Sequence, residues 1–397
     1  MSSLRTLDGV EVRGKRVLIR CDFNVPVEDG KVTDRTRITR SAATVREIAD
    51  KAGKAILLSH FGRPKERNAK ESLKPLVPVI ADVLGRPVAF AEDCIGGQAM
   101  AAVEAMRPGD VLCLENTRFH KGEERNDAEF VAQLAAVGDL FVNDAFSASH
   151  RAHASVEGLA HLLPAYAGRA LQEEVEALAK ILEAPARPLA GIVGGAKIST
   201  KLDLLGNLLD KVDTLIIGGG MANTFLAALG KPVGKSLCER DLLTKASDIV
   251  ARARSQGREI VLPVDTVVAH ELKAHAPSRQ VPVDAVQPDE MILDIGRRSI
   301  EHVCSVLART RTLVWNGPFG AFEVEPFDNG TIEVAEAAAE LASAGKLVTV
   351  AGGGDTVAAL NAAHVADRFT YVSTAGGAFL EWLEGKPLPG VEVLKIK

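Results

Sequence analysis

The chain has 397 residues, more than one ordinary hydrophobic core holds, so two domains of roughly 200 residues each are expected. Hydrophobic residues make up 47% and charged residues 25%, the balance of a soluble globular protein, and a net charge of −5 supplies no global field for nucleic acid. No 18-residue apolar run occurs, the N-terminal MSSLRTLDGVEVRGK lacks the apolar stretch of a signal peptide, and 4% aromatics leave little for stacking bases.

The first strand is RVLIR (16–20), which runs into CDFNVP. After the amphipathic stretch SAATVREIADKAG (41–53), KAILLS (54–59) runs into HFGRP. VLCLE (111–115) then leads to NTRFH, and DLFVN (139–143) to DAFSASHRAHAS. LQEEVEALAKILEAP (171–185) reads as a helix with Leu171, Val175, Leu178 and Leu182 on one side, stopped by Pro185 and Pro188. It separates two series of strand–helix units and is expected to join two domains. In the second series AGIVG (190–194) leads to GAKISTK, DTLIIG (213–218) to GGMANTF and TLVWN (312–316) to GPFGAFE, with a further strand at REIVLP (258–263). The helical NGTIEVAEAAAELASAG (329–345) precedes KLVTVA (346–351), which leads to GGGDT, and FTYVS (369–373) leads to TAGGAF. Strands alternating with helices imply parallel sheets with helices on both faces.

Ligands bind outside the carboxyl ends of strands in such sheets, so one functional rim is expected on each half. The first rim is cationic: Arg37, His60, Arg63, Arg118, His150, Arg151 and His153, with Asp22 and Asn24 placed to orient a hydroxyl. Guanidinium forks suit carboxylate and phosphate, and several on one rim point to a small ligand with more than one anionic group. No carboxylate or cysteine near His150 and His153 completes a metal site there. The second rim is rich in glycine, whose turns and adjoining helix starts cradle phosphate oxygens. Lys197 and Lys201, four residues apart, are expected on one helix face near its start, facing phosphate. Asp355 in GGGDT is placed to hold a divalent cation, and Thr356 to donate to a phosphate.

Familiar nucleotide motifs fail. GVEVRGKR (9–16), GKPVGKS (230–236) and GIVGGAKI (191–198) each miss the P-loop pattern, and no G-x-G-x-x-G, zinc-protease helix or protein-kinase loop occurs. Five scattered cysteines, Cys21, Cys94, Cys113, Cys238 and Cys304, read as reduced thiols of a cytoplasmic protein.

In order along the chain, RCDFNVP, LLSHFGRP, LENTRFHKGEE, NDAFSASHRAHAS, VGGAKISTK, IIGGGMANTF, VWNGPFGAFE, VAGGGDT and VSTAGGAFLEWLEGK resemble the motifs of the phosphoglycerate kinase family. The resemblance implies an α/β fold of two doubly wound, Rossmann-like three-layer α/β/α domains facing across a cleft. It implies a domain 1–170 for 3-phosphoglycerate or 1,3-bisphosphoglycerate, an interdomain helix 171–185, a nucleotide domain 186–378, and a segment 379–397 returning to the first domain. Matched position by position, it assigns Asp22, Phe23, Asn24, Arg37, His60, Arg63, Arg118 and Arg151 to the acid substrate. It assigns Lys197, Lys201, Gly219, Asn316, Glu323, Gly353, Gly354, Asp355 and Thr356 to Mg·ADP or Mg·ATP, with Asp355 on the Mg²⁺. Arg37, Lys197 and Lys201 are the candidates for charge stabilisation during transfer. Adenine contacts are expected around IIGGGMANTF and the stretch that follows. Ala375 stands where many members have glycine, so its backbone must avoid positive φ. The partners implied are small molecules only, with no nucleic acid or membrane, and the chain is expected to be a monomer.

The chemistry agrees with that reading. Phosphoryl transfer needs positioning and charge neutralisation, and a carboxylate acceptor is already deprotonated at neutral pH, so no general base is required. A non-enzymatic anion-binding protein with a closing cleft would explain the arginines but not Asp355 beside a glycine turn. A dehydrogenase is disfavoured by the absent G-x-G-x-x-G.

Overall fold

The computed structural model describes residues 4–182, 185–373 and 375–396, without the side chains of 180–182. The chain falls into two units, Met1–Glu176 with Pro387–Lys397, and Ala177–Lys386. The ten strands expected from β-branched runs all form.

In the first unit these are β1 (Arg16–Arg20), β4 (Lys54–Leu58), β6 (Val111–Leu114) and β7 (Leu140–Asn143). A small antiparallel hairpin of β2 (Val27–Glu28) and β3 (Lys31–Val32) stands apart, and the short edge strands β5 (Ala89–Ala91) and β8 (Ala165–Ala167) complete the parallel sheet. Its order is β5-β6-β4-β1-β7-β8. Val17, Leu18 and Ile19 are fully buried, as a strand covered on both faces requires. The Thr36–Asp50 helix seats Ile38, Val45 and Ile48 on the same cluster as Val17, Ile19 and Leu57. Each such side chain contributes about 1.5–3 kcal/mol by burial. Strands after β1 are added first on its β4 side and then on its β7 side. Arg20 pairs level with both Leu58 and Asn143, so a crevice opens at the β1/β7 switch of direction.

The second unit has β9 (Leu189–Val193), β10 (Thr214–Ile217), β11 (Glu259–Val261), β15 (Thr312–Asn316), β16 (Val348–Gly352) and β17 (Tyr371–Ser373), in the order β11-β10-β9-β15-β16-β17. Here the direction switches between β9 and β15, where Val193 pairs with Asn316. The Arg297–Arg309 and Asn329–Ser343 helices pack Val303, Leu307, Val334 and Ala338 against Ile192, Trp315 and Ala351. A second, antiparallel sheet of β13-β12-β14 (Ser278–Pro282, Asp265–Ala269, Met291–Ile295) was not expected. β13 is largely exposed and polar, so its sequence carries no apolar alternation.

The helix joining the units is Arg169–Leu182, beginning two residues before the expected 171. Leu171, Val175 and Leu178 are buried as expected; the Leu182 side chain and residues 183–184 lie outside the described ones. The return to the first unit begins at Pro387 instead of 379. Gly376–Leu383 is a helix packed on Leu202–Leu209 in the second unit, and Asn207 Nδ2 donates to Leu383 O there.

Candidate functional site

β1 delivers an arginine to the rim of the first unit from below. Arg20, the last residue of that apolar strand, is 1% exposed. Its Nε donates to Ser155 Oγ (2.9 Å), its Nη1 to Cys21 O and its Nη2 to His60 Nδ1 (2.9 Å). Burial works against the guanidinium charge, and the fully buried Glu123 supports it. Glu123 in turn accepts from the Ser155 N–H (3.1 Å) and hydroxyl. A guanidinium has no lone pair to offer, so His60 Nδ1 accepts and the ring proton sits on Nε2. Burial, then Arg20, Arg118 and Arg151, hold His60 well below the usual imidazole range, so it is neutral.

Above this layer is a cavity of about 390 Å³ lined by Arg63, Pro64, Arg118, Glu124, Arg151 and His153. Arg118 donates to Gly62 O (2.6 Å) and pairs with Glu124 (3.1 Å). Arg151 Nε donates to His150 Nε2 (3.1 Å). Burial first, and then the neighbouring arginines, push His150 and His153 each down to about 4. At neutral pH the lining therefore carries three cations against one carboxylate, a setting that favours an anion.

Asp22, Asn24 and Arg37 form a bonded group at the same strand end. Arg37 Nη1 pairs with Asp22 Oδ2 (3.0 Å) and donates to Asn24 O (3.0 Å). The Ser147 hydroxyl donates to Asp22, and the Gly62 N–H to Asn24 Oδ1 (2.9 Å), which joins this group to Arg118 through Gly62. Two assignments differ from expectation. Phe23 is buried in the hydrophobic core with its N–H on Ser59 Oγ (2.9 Å), because alternation along the chain turns it inward, away from Asp22 and Asn24. His60 lies beneath the rim. Arg20, Glu123 and Ser155 escaped the sequence reading; the one signal was a charge closing an otherwise apolar strand.

In the second unit the ends of β9 and β15 touch. A Cβ on Gly317, which has φ +96°, would lie 2.3 Å from Gly194 O, so only glycine permits this approach. Lys197 and Lys201 do not share a helix face: the helix begins at Leu202, Lys201 is its N-cap residue, and Lys197 stands exposed in the loop before it. The cause is Ser199, whose N–H (3.0 Å) and hydroxyl bind Glu239 and hold the chain in a turn. Lys201 Nζ donates to Asn316 Oδ1, and Asn316 Nδ2 donates to Gly352 O (2.7 Å). Burial lowers Lys201 to about 8, while Asp355 favours its charge.

Gly353, at φ +97°, turns the chain into the Gly354–Ala362 helix. The first N–H groups of that helix have no intrahelical acceptor and point out of its positive end. Exposed Asp355 lies in this first turn, and buried Thr356 accepts the Gly317 N–H (2.7 Å) on Oγ1. Lys201, Asn316, Gly353, Gly354, Asp355 and Thr356 are thus brought together. Gly219 has its own N–H on Phe319 O (2.8 Å) and packs against Gly195; beside it Leu237 is 49% exposed, close to Gly220. Glu323 is exposed on a turn, and Ala375 has φ −93°, negative as required. Among the described residues the one group of three metal-capable side chains is Asp93, Cys94 and His120; its Asp93 is already shared by Arg67 (3.2 Å) and His120 (2.7 Å).

Residues 7–386 match the family profile described as phosphoglycerate kinase. Phosphoglycerate kinases of Bradyrhizobium diazoefficiens and Azorhizobium caulinodans are 62% and 64% identical to the chain, each over the whole of both sequences. The solved phosphoglycerate kinase of Coxiella burnetii superposes with a TM-score of 0.92 at 42% identity, covering 99% of both chains. That of Pyrococcus horikoshii gives 0.83 at 29% identity over 98% of both.

Proposed function

The chain belongs to the phosphoglycerate kinase family, and we propose that its two rims divide the family's reaction between them. The activity is reversible transfer of the acyl phosphate of 1,3-bisphosphoglycerate to ADP, giving 3-phosphoglycerate and ATP. The observation that supports the division most is the contrast between a cavity lined by Arg63, Arg118 and Arg151 and a rim built from Lys201, Asn316 and a helix N-terminus.

On this reading the arginine cavity takes the phosphate of the acid substrate. Asp22 and Asn24 orient its hydroxyl, Arg37 reaches its carboxyl end, and neutral His60 braces the floor. The Gly353–Thr356 turn takes nucleotide phosphates on backbone N–H groups, with Lys197 and Lys201 as cations beside them. Glu323 is assigned to the nucleotide, and Leu237, next to Gly219 and Gly220, offers an apolar surface for its base. Mg²⁺ keeps most of its waters and is held by one or two carboxylates plus phosphate oxygens, so the single exposed carboxylate of Asp355 fits that role. When bound, the ion neutralises charge between the phosphates. Arg37 and Lys201 stabilise the charge of the group in transfer, and no base is needed because the acceptor carboxylate is already ionised. The reacting atoms must come within about 3–3.5 Å with water excluded, which domain closure achieves. The reading also makes the chain a cytoplasmic monomer acting on small molecules; no described helix is long and apolar enough to cross a membrane.

A coupled assay for ATP formation from 1,3-bisphosphoglycerate and ADP tests it. ATP formation that depends on both substrates is expected; its absence in folded protein overturns the reading.

A further inference from the structure

Two stretches of chain cross between the units: the Arg169–Leu182 helix and the segment returning at Pro387. Two consecutive residues at the end of β7 grip both of them. Asp144 is 4% exposed, and its Oδ1 accepts the N–H groups of Ala170 (2.9 Å) and Leu171 (3.3 Å), first-turn donors of the crossing helix. Thr44 Oγ1 takes the third donor, the Arg169 N–H (2.8 Å). Gly168 lies against the same carboxylate, where a Cβ would lie 2.2 Å from Oδ1, so only glycine fits between the helix start and Asp144.

Asn143 holds the other crossing. Its Nδ2 donates to Gly390 O (3.0 Å) and to Ser149 Oγ (3.0 Å), while the Gly390 N–H donates to Ser149 O (2.9 Å). Here too only glycine fits: a Cβ on Gly390 would lie 2.7 Å from Val156 Cγ1 and 2.9 Å from Asn143 Nδ2.

The same short stretch reaches into the anion site. The Asp144 N–H donates to Arg20 O (2.9 Å), the strand end beneath the cavity. Ser147 binds Asp22, Ser149 is bonded to Asn143, and Arg151 lines the cavity. An anion that draws in Arg151 pulls on a chain whose preceding residues are the anchors of both crossings.

We infer that Asn143 and Asp144 are positioning residues that couple occupation of the arginine cavity to movement of both chain crossings. The inference rests on the domain-closure reading above. It assigns Asn143 and Asp144 no contact with substrate. Their task is to make closure follow acid binding.

The test uses the full chain carrying Asp144→Ala, Asp144→Asn or Asn143→Ala. Turnover is measured by the coupled assay, and 3-phosphoglycerate and ADP are titrated separately by calorimetry. Asp144→Ala is expected to lower kcat by about 10–100-fold, the scale of a small misplacement of reacting groups, with each dissociation constant within about threefold of wild type. Asp144→Asn, which keeps an oxygen acceptor for the helix N–H groups, is expected to recover most of kcat. If Asp144→Ala does not fold, Asn143→Ala carries the same expectation. Wild-type kcat in a folded variant, or a kcat loss no larger than the loss of acid affinity, overturns the coupling. Scattering of the wild type separates the two readings. Compaction with both ligands together with unaffected variants removes the coupling alone, whereas no compaction in an active wild type removes closure and the coupling with it.

Discussion

At Lys201 burial and function pull in opposite directions. Desolvation lowers the ammonium to about 8, Asp355 favours its charge, and among the described residues its side-chain partner is the Asn316 amide oxygen. Phosphate oxygens would restore the lost stabilisation, so nucleotide binding above pH 8 should take up a proton. Calorimetry at pH 8.5 in buffers of different ionisation enthalpy measures that uptake, and Lys201→Met should abolish it. Lys201→Ala should lower turnover by about 10²–10³-fold, the usual cost of one preorganised donor, while the KM for 3-phosphoglycerate changes little. Near-normal turnover with a raised acid KM would remove Lys201 from the transfer step. On the other rim, Arg63→Ala and Arg151→Ala should weaken 3-phosphoglycerate and leave ADP unchanged in separate titrations; the opposite pattern means the rims are reversed. The lysines and arginines were legible because they stand just beyond strand ends. Arg20 was not, since nothing in RVLIR says that its last side chain turns under the rim to meet Ser155 and, through it, Glu123, more than a hundred residues away in sequence.

Among the elements, strands covered on both faces announce themselves as continuous β-branched runs, and these were all readable. The edge strands Ala89–Ala91 and Ala165–Ala167 are three residues each and alanine-rich, too short and too weak in β-propensity to stand out. A four-residue spacing alone puts the paired lysines on one helix face, but the helix starts only at Leu202, after a turn in which Ser199 bonds to Glu239, distant in sequence. A further buried carboxylate sets a testable property of one element. Asp294 takes the N–H of Gly330 (2.8 Å) in the first turn of the Asn329–Ser343 helix, and burial pushes its carboxyl from 3.8 up to about 8. Between those values the folded chain holds a proton that the unfolded chain has released. Stability therefore falls as pH rises from about 4 to about 8, by up to about 1.4 kcal/mol per pH unit from this group, and levels off above. Asp294→Asn should gain on wild type in urea midpoint between pH 5 and pH 8.5. An equal difference at both pH values would mean that Asp294 is not protonated in the folded state.

At the scale of the whole molecule, each unit repeats one device: a parallel sheet whose order reverses, with its proposed ligand rim at the reversal. The two-unit division followed from length and from the helix near 171, but the point of return did not. The expectation put the return at 379, and the packing of Gly376–Leu383 on Leu202–Leu209 assigns that helix to the second unit instead. The returning residues then do two jobs. Leu388, Val391 and Leu394 are fully buried in the first unit, at about 1.5–3 kcal/mol each, and Gly390 is tied to Asn143 and Ser149. Deleting 388–397 should therefore lower the unfolding midpoint of the first unit and reduce turnover more than it weakens either ligand alone. Closure itself is the larger expectation. Donor and acceptor phosphates bound to separate units must approach within about 3–3.5 Å, and water must be kept from the acyl phosphate, so both substrates together should draw the units in where either alone does not. Small-angle scattering of the apo, single-ligand and ternary states measures this as a smaller radius of gyration in the ternary state only. One radius in all three states, in a sample that turns over, would leave the two binding rims in place and remove closure as the means of joining them.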